Sequence, residues 1–218
     1  MITAEVTFSR ERLLSLKYPM QYDGINWQTY EDISAEIGES RAVQLTYNKG
    51  TLTIMSVTEL HEYLIVFIER LIGIVSLVTQ TEITPTGHAS LRSERRNYGV
   101  EPDLSYFVSK SDIHQIKDYV PKEVELAPDI VCEIDVHHPS DDKFEIYAEL
   151  GVSEFWQYSN ENLNIYRLQT NGEYKEMERS EELPILTSAV LSEFLKRGQT
   201  EQQFTVLSDF QVWIQANN

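Results

Sequence analysis

The feature that most constrains this chain is the run Pro128-Asp129-Ile130-Val131-Cys132-Glu133-Ile134-Asp135-Val136. A mostly apolar run of this length reads as a strand covered on both faces, which requires packed layers on either side of a sheet. Glu133 and Asp135 nevertheless stand two apart within it, so their side chains share a face. Like charges there repel, and each carboxylate is costly to desolvate unless something positive compensates. A divalent cation is one compensation, because hard oxygen ligands suit magnesium or manganese. The alternative is an exposed strand end where both acids pair with surface Lys or Arg.

Other elements follow from periodicity. Thr29-Tyr30-Glu31-Asp32 leads into a short helix ending near Gly38. Strands over 42–47 and 51–56 are joined by Asn48-Lys49-Gly50, a hairpin turn signal. Leu64, Ile68, Leu71, Val75 and Val78 recur at helical spacing while Ile65, Phe67, Ile72 and Ile74 fill other faces. That pattern predicts a buried helix. Further strands are predicted over 80–85, 103–108, 152–158 and 163–168. A helix over 140–150 stops at Gly151, with another over 189–196 and a tail over 201–215. Interleaved strands and helices indicate an α/β domain with a mixed sheet. Residues 1–25 read as a loosely attached arm.

Composition bounds the function. The 218 residues can bury a real core, and no tract is long and apolar enough to span a bilayer. The N-terminus shows no basic-then-apolar signal sequence, and the single Cys132 lies in an apolar run. Both point to a cytoplasmic protein with a reduced core thiol. Eighteen basic against thirty-five acidic residues give a net charge of −17. Such a chain repels polyanions on average, whereas backbone-gripping DNA binders show a basic stripe. The nearest basic patch is Arg92, Arg95 and Arg96, with Lys110, Lys117 and Lys122 further on; its bland reading is a solvated loop.

Two further residues join the carboxylate pair. Asp103 follows Pro102 at the start of a predicted strand, so it too stands at a strand end. Lys143 lies eight positions past Asp135 (143 − 135), close enough to fold back over the carboxylate strand. With Ser140 as the cap, Asp141, Asp142 and Lys143 form the first helical turn, where the dipole disfavours a cation. A lysine beside a bound metal can orient the attacking water and steady developing phosphorane charge. The alternative is local pairing with Asp142 or Glu145. Nothing else in the chain carries a recognised chemistry: it has no Gly-rich phosphate loop, no Gly-x-Ser-x-Gly elbow and no zinc-type cysteine spacing.

The ordered set resembles the Uma family of PD-(D/E)XK restriction-endonuclease-like proteins. The matching stretches are Arg41 to Tyr47 with Ile54-Met55-Ser56, His61-Glu62-Tyr63, Gly99-Val100-Glu101-Pro102-Asp103 and the Pro128 to Val136 strand. Asp142-Lys143 through Gly151-Val152 and Glu154-Phe155-Trp156 complete the order. The resemblance implies a restriction-endonuclease-like α/β fold, with a central mixed β-sheet flanked by helices and the metal at a fork of two strands. On it, the domain covers 26–198 between the arm at 1–25 and a C-terminal helical tail at 199–218. It makes Asp103 the motif aspartate, Glu133 the (D/E) position and Lys143 the displaced lysine. Asp135 occupies the usual lysine position.

Asp103, Glu133, Asp135 and Glu62 are then the expected magnesium or manganese ligands, with His61 assisting. A helix-capping role for His61 and Glu62 stays open. His137-His138-Pro139 departs from the family pattern and reads as a loop after the strand, with metal ligation the alternative. Val57 stands where the family frequently has proline. The expected activity is a metal-dependent endonuclease acting on DNA. The rivals are a nuclease fold that binds without cutting and a protein-binding domain whose carboxylate cluster is structural. Dimerisation is expected if two strands are cut. The tail (Phe204, Val206, Leu207, Phe210, Val212, Trp213, Ile214) offers either an interface or packing on its own domain.

Overall fold

The computed structural model describes residues 19–38, 43–56, 58–86, 90–109, 126–136, 141 and 143–218. Expectations placed on residues 1–18, Arg41, Ala42, Val57, Lys110, Lys117, Lys122, His137, His138, Ser140 and Asp142 lie outside the described residues. The element order is β1 (Met20–Tyr22), α1 (Trp27–Ile37), β2 (Val43–Asn48), β3 (Thr51–Ser56), α2 (Glu59–Thr79), β4 (Ile83–Pro85), β5 (Leu91–Ser93) and β6 (Tyr98–Val100). It continues with β7 (Leu104–Val108), β8 (Ile130–Asp135), α3 (Lys143–Leu150), β9 (Glu154–Ser159), β10 (Asn162–Leu168), β11 (Tyr174–Met177), α4 (Ser188–Thr200) and α5 (Gln203–Asn217).

Among the described residues the strands form two sheets rather than one. Five strands in the order β1-β3-β2-β6-β5 make an antiparallel sheet. Six in the order β11-β10-β9-β8-β7-β4 make the expected mixed sheet, in which only β8 and β9 run parallel. A parallel pair cannot be closed by a hairpin and needs a crossover, here the segment carrying α3. Glu101, Pro102 and Asp103 are the short connection from β6 of one sheet to β7 of the other. The functional residues gather at that seam.

Helix α2 is apolar on nearly every side because it is enclosed. Leu64, Phe67, Ile68, Leu71 and Val75 pack with Ile130, Cys132, Ile134 and Trp156 of the mixed sheet, and with residues of α4 and α5. Thr58 caps it by accepting from the His61 backbone N–H, and Gln80 ends it in the left-handed region. Close approach dictates the glycine at 198: a Cβ there, on α4, would stand 2.3 Å from the Phe67 ring. The tail packs on its own domain, since Val206, Phe210 and Ile214 of α5 are buried in the main core.

Several boundaries differ from the sequence expectation. Met20–Tyr22 is an edge strand paired to β3, and Ile25 donates to Gly50 O, so these residues are tied to the sheet rather than loosely attached. The strand predicted over 80–85 shortens to Ile83–Pro85, because α2 runs to Thr79 and its cap takes the next residue. Arg92, Arg95 and Arg96 belong to the β5–β6 hairpin, with Arg92 in a strand and the other two in the turn. Asn97 supplies its left-handed residue at φ 63°.

Candidate active site

Sheet register assembles the two motif acids. Leu104 pairs with Cys132 in the antiparallel β7–β8 ladder, so the next position outward sets Asp103 opposite Glu133. Residues directly opposite in such a ladder share a face and stand close. Asp103 Oδ2 confirms the placement by accepting from the Ile134 backbone N–H at 2.7 Å. Along β8, Ile130, Cys132 and Ile134 enter the main core, while Val131 faces the packed layer beneath α3. Glu133 and Asp135 alternate onto that second face, as their spacing predicts.

Helix α3 brings the cation. Lys143 is its first residue, 5% exposed, and its Nζ stands 2.6 Å from Glu133 Oε2. The alternative partner Glu145 is engaged elsewhere, in an exposed ion pair with Lys49 and as acceptor for the Tyr98 hydroxyl. One turn along α3, the Tyr147 hydroxyl donates to Glu133 Oε1. Glu133 is therefore held at both oxygens from a single helix face, the i and i+4 positions.

Asp103 is held as fully. Gln44 Nε2 donates to its Oδ1, and His61 Nε2 lies 3.0 Å from the same oxygen, off the line of a well-formed hydrogen bond. Asp135 is 9% exposed, and its Oδ2 accepts from Gln157 Nε2 at 2.8 Å. Glu62 is the outlier. Its side chain is 36% exposed and comes within 3.9 Å of His61 Nδ1, so it reaches the seam only through His61.

Charge sets the proton affinities. Burial is the largest influence on Glu133 and, reinforced by Asp103, lifts its carboxyl to about 8 against the pull of Lys143. Burial pushes Asp103 up as well, but His61, Lys143 and the Ile134 N–H together hold it below its ordinary value. Lys143 is pulled down by burial and more strongly up by Glu133, Asp103 and Asp135, so it is held protonated. Glu101 is a further, partly buried acid at the seam, bonded by the Leu45 N–H and the Ser90 hydroxyl, and its burial raises its proton affinity. One buried cation thus faces several carboxylates, a surplus that a divalent ion would relieve.

The residues can be tested against such an ion. Among the described residues, no three His, Cys, Asp or Glu side chains are gathered to hold one as they stand. The donor set nonetheless has the right chemistry. It is oxygen-rich, carries excess negative charge, and includes the amide oxygen of Gln44, which is buried without a hydrogen-bond partner. It fits a hard cation of the magnesium type, and among the described residues it has no thiolate or imidazole-rich set of the kind zinc prefers.

Of the residues expected from sequence, Asp103, Glu133, Lys143 and His61 come together, Asp135 lies on the same strand face, and Glu62 stays at the rim. Gln44, Tyr147 and Glu101 were not singled out from sequence. Tyr147 could have been found from its i+4 spacing to Lys143, whereas no sequence signal marks Gln44.

The Uma2 family, described as "Putative restriction endonuclease", matches residues 27–197. Among solved structures, one described as a putative nuclease belonging to DUF820, from Anabaena variabilis, is 14% identical. The similarity covers 84% of this chain and 97% of that one, with a TM-score of 0.46. No curated protein matches this chain.

Proposed function

The chain belongs to the Uma2 family, described as "Putative restriction endonuclease", and on that premise we propose that the seam is a magnesium- or manganese-dependent phosphodiesterase site acting on DNA. The observation that carries this reading is the fully buried Lys143–Glu133 pair beside Asp103. A lysine at the start of a helix opposes the dipole, and a buried carboxylate opposes desolvation. Neither is needed for packing, since the surrounding layer is apolar and aromatic.

In this reading Asp103 and Glu133 hold the ion, with Asp135 next along the strand and Glu62 joining from the rim. The ion, when bound, supplies charge neutralisation at the phosphate and an acidified water. Lys143 keeps two N–H donors beyond the one it gives Glu133, enough to orient the attacking water and to meet a phosphoryl oxygen. Tyr147 fixes the second oxygen of Glu133, and His61 with Gln44 fixes Asp103, so the acids are held before substrate arrives. Water attacks phosphorus directly, the O3′ or O5′ leaves with a proton, and no covalent intermediate forms.

The division into a 26–198 domain with a tail, the homodimer and a cytoplasmic location belong to the same proposal. The buried, unpaired Cys132 supports the location. Among the described residues no helix is long and apolar enough to cross a membrane. A second reading, a nuclease fold that binds without cutting, is favoured by the net charge of −17. Manganese-dependent cleavage of supercoiled and single-stranded DNA separates the two, with Asp103→Ala and Lys143→Ala as controls. Cleavage lost in both variants supports the enzyme, and a wild type that cuts nothing supports the binding protein.

A further inference from the structure

Gln44 is 7% exposed and extends from β2 to the seam, where its Nε2 donates to Asp103 Oδ1. The carbonyl half of the same amide, Oε1, is buried with no hydrogen-bond partner. The assignment of the two amide atoms follows from the acceptor, since a carboxylate oxygen can only receive. An orphaned buried oxygen costs about 1–3 kcal/mol.

The chemistry of the position narrows what Oε1 meets. A neutral amide oxygen recognises an O–H or N–H donor or a cation, and here it stands among carboxylates that attract positive charge. With Nε2 already on Asp103, Oε1 is left as an unused acceptor, which a water in an ion's shell would satisfy. Magnesium keeps several of its waters when protein-bound, and outer residues that hold ligands and waters set its affinity.

We propose that Gln44 is a positioning residue for the cation, fixing Asp103 through Nε2 and accepting a hydrogen bond from an ion-bound water at Oε1. This inference rests on the metal-dependent reading above and extends it to a residue on the other sheet. It also makes the seam a composite of both sheets, with β2 supplying one wall and β8 the other.

The test is calorimetric titration of Mn²⁺ into wild type, Gln44→Met and Gln44→Glu, with thermal melts of each. Met keeps the length and loses both amide groups, so Mn²⁺ affinity is expected to fall about ten- to a hundredfold. Glu keeps an acceptor oxygen but has no donor for Asp103 and adds a charge beside it, so its Mn²⁺ affinity is expected to depart from the wild-type value. A role in packing alone would lower the melting temperature of Gln44→Met and leave its Mn²⁺ affinity at the wild-type value, which overturns the inference. Should Gln44→Met not fold, the Glu variant decides, because a Mn²⁺ affinity equal to wild type there overturns it equally. A wild type that takes up no Mn²⁺ refutes the metal-dependent reading and this inference together; wild-type binding shared by Gln44→Met removes this inference alone.

Discussion

Lys143 Nζ stands 2.6 Å from Glu133 Oε2 with both side chains buried, joining the first residue of a helix to the strand of a neighbouring sheet. Each partner makes the other tolerable. Buried ion pairs contribute little net stability against an apolar alternative, yet breaking one leaves an uncompensated charge at about 3–5 kcal/mol. The pair is therefore better explained by chemistry at the site than by packing.

Lys143→Met should destabilise the protein in a pH-dependent way. At pH 9 Glu133, without the lysine that lowers its proton affinity, must either ionise unpaired or take up a proton, and unfolding measurements should show a loss of roughly 3 kcal/mol or more. At pH 6 Glu133 carries a proton and the loss should shrink by more than half. The double variant Glu133→Gln/Lys143→Met should recover stability at both pH values and remain without cleavage. Equal losses at both pH values would show that Glu133 titrates elsewhere.

Glu133 also predicts how the metal-free protein responds to pH. Its folded carboxyl titrates at about 8 and its ordinary value is 4.5. A raised acid contributes stability that is complete below 4.5 and is lost as pH rises through about 8. Denaturant unfolding between pH 5 and pH 8.5 should show that decline, and Glu133→Gln should flatten it. Mn²⁺ affinity should rise over the same interval, because the ligand must lose its proton to bind.

Gly198→Ala tests the close packing of α4 on α2. Alanine is favoured over glycine within a helix by about 1 kcal/mol. The added Cβ would meet the Phe67 ring at 2.3 Å, and that ring is fully buried. Overpacking costs typically 1–3 kcal/mol, so the net effect should be destabilising, read as a lowered urea midpoint. A raised midpoint would show that the Phe67 ring moves freely.

Glu154 separates stability from chemistry. This buried carboxylate accepts from Trp156 Nε1, the Ser180 hydroxyl and the Glu181 and Glu182 backbone N–H groups. Glu154→Ala should therefore cost about 3 kcal/mol or more, since several buried donors lose a charged acceptor. Mn²⁺ affinity measured below the melting temperature should stay at the wild-type value. A matching loss of Mn²⁺ affinity would tie the loop at 180–183 to the site.

Much of the site was legible because it follows simple periods. The two-residue spacing of Glu133 and Asp135 fixes their shared face, Pro102-Asp103 marks a strand start, and the distance from Asp135 to Lys143 allows only a short return. The apolar helix at 64–78 was legible for the same reason. The split into two sheets was not, because β5 and β6 are three residues each and the charged turn Glu94-Arg95-Arg96-Asn97 hides their alternation. Gln44 was illegible for a different reason. Its partner Asp103 is 59 residues away, and Gln44 alternates with Thr46 and Asn48 as any polar face of a strand would.

The most direct test of the account is a plasmid cleavage assay with Mn²⁺, comparing wild type with Lys143→Met and Glu133→Gln under conditions where all three are folded. Wild type is expected to nick or linearise supercoiled DNA and both variants to fall by a hundredfold or more, with chelator abolishing the wild-type activity. Cleavage that persists in Lys143→Met, or proceeds undiminished in chelator, would contradict the account.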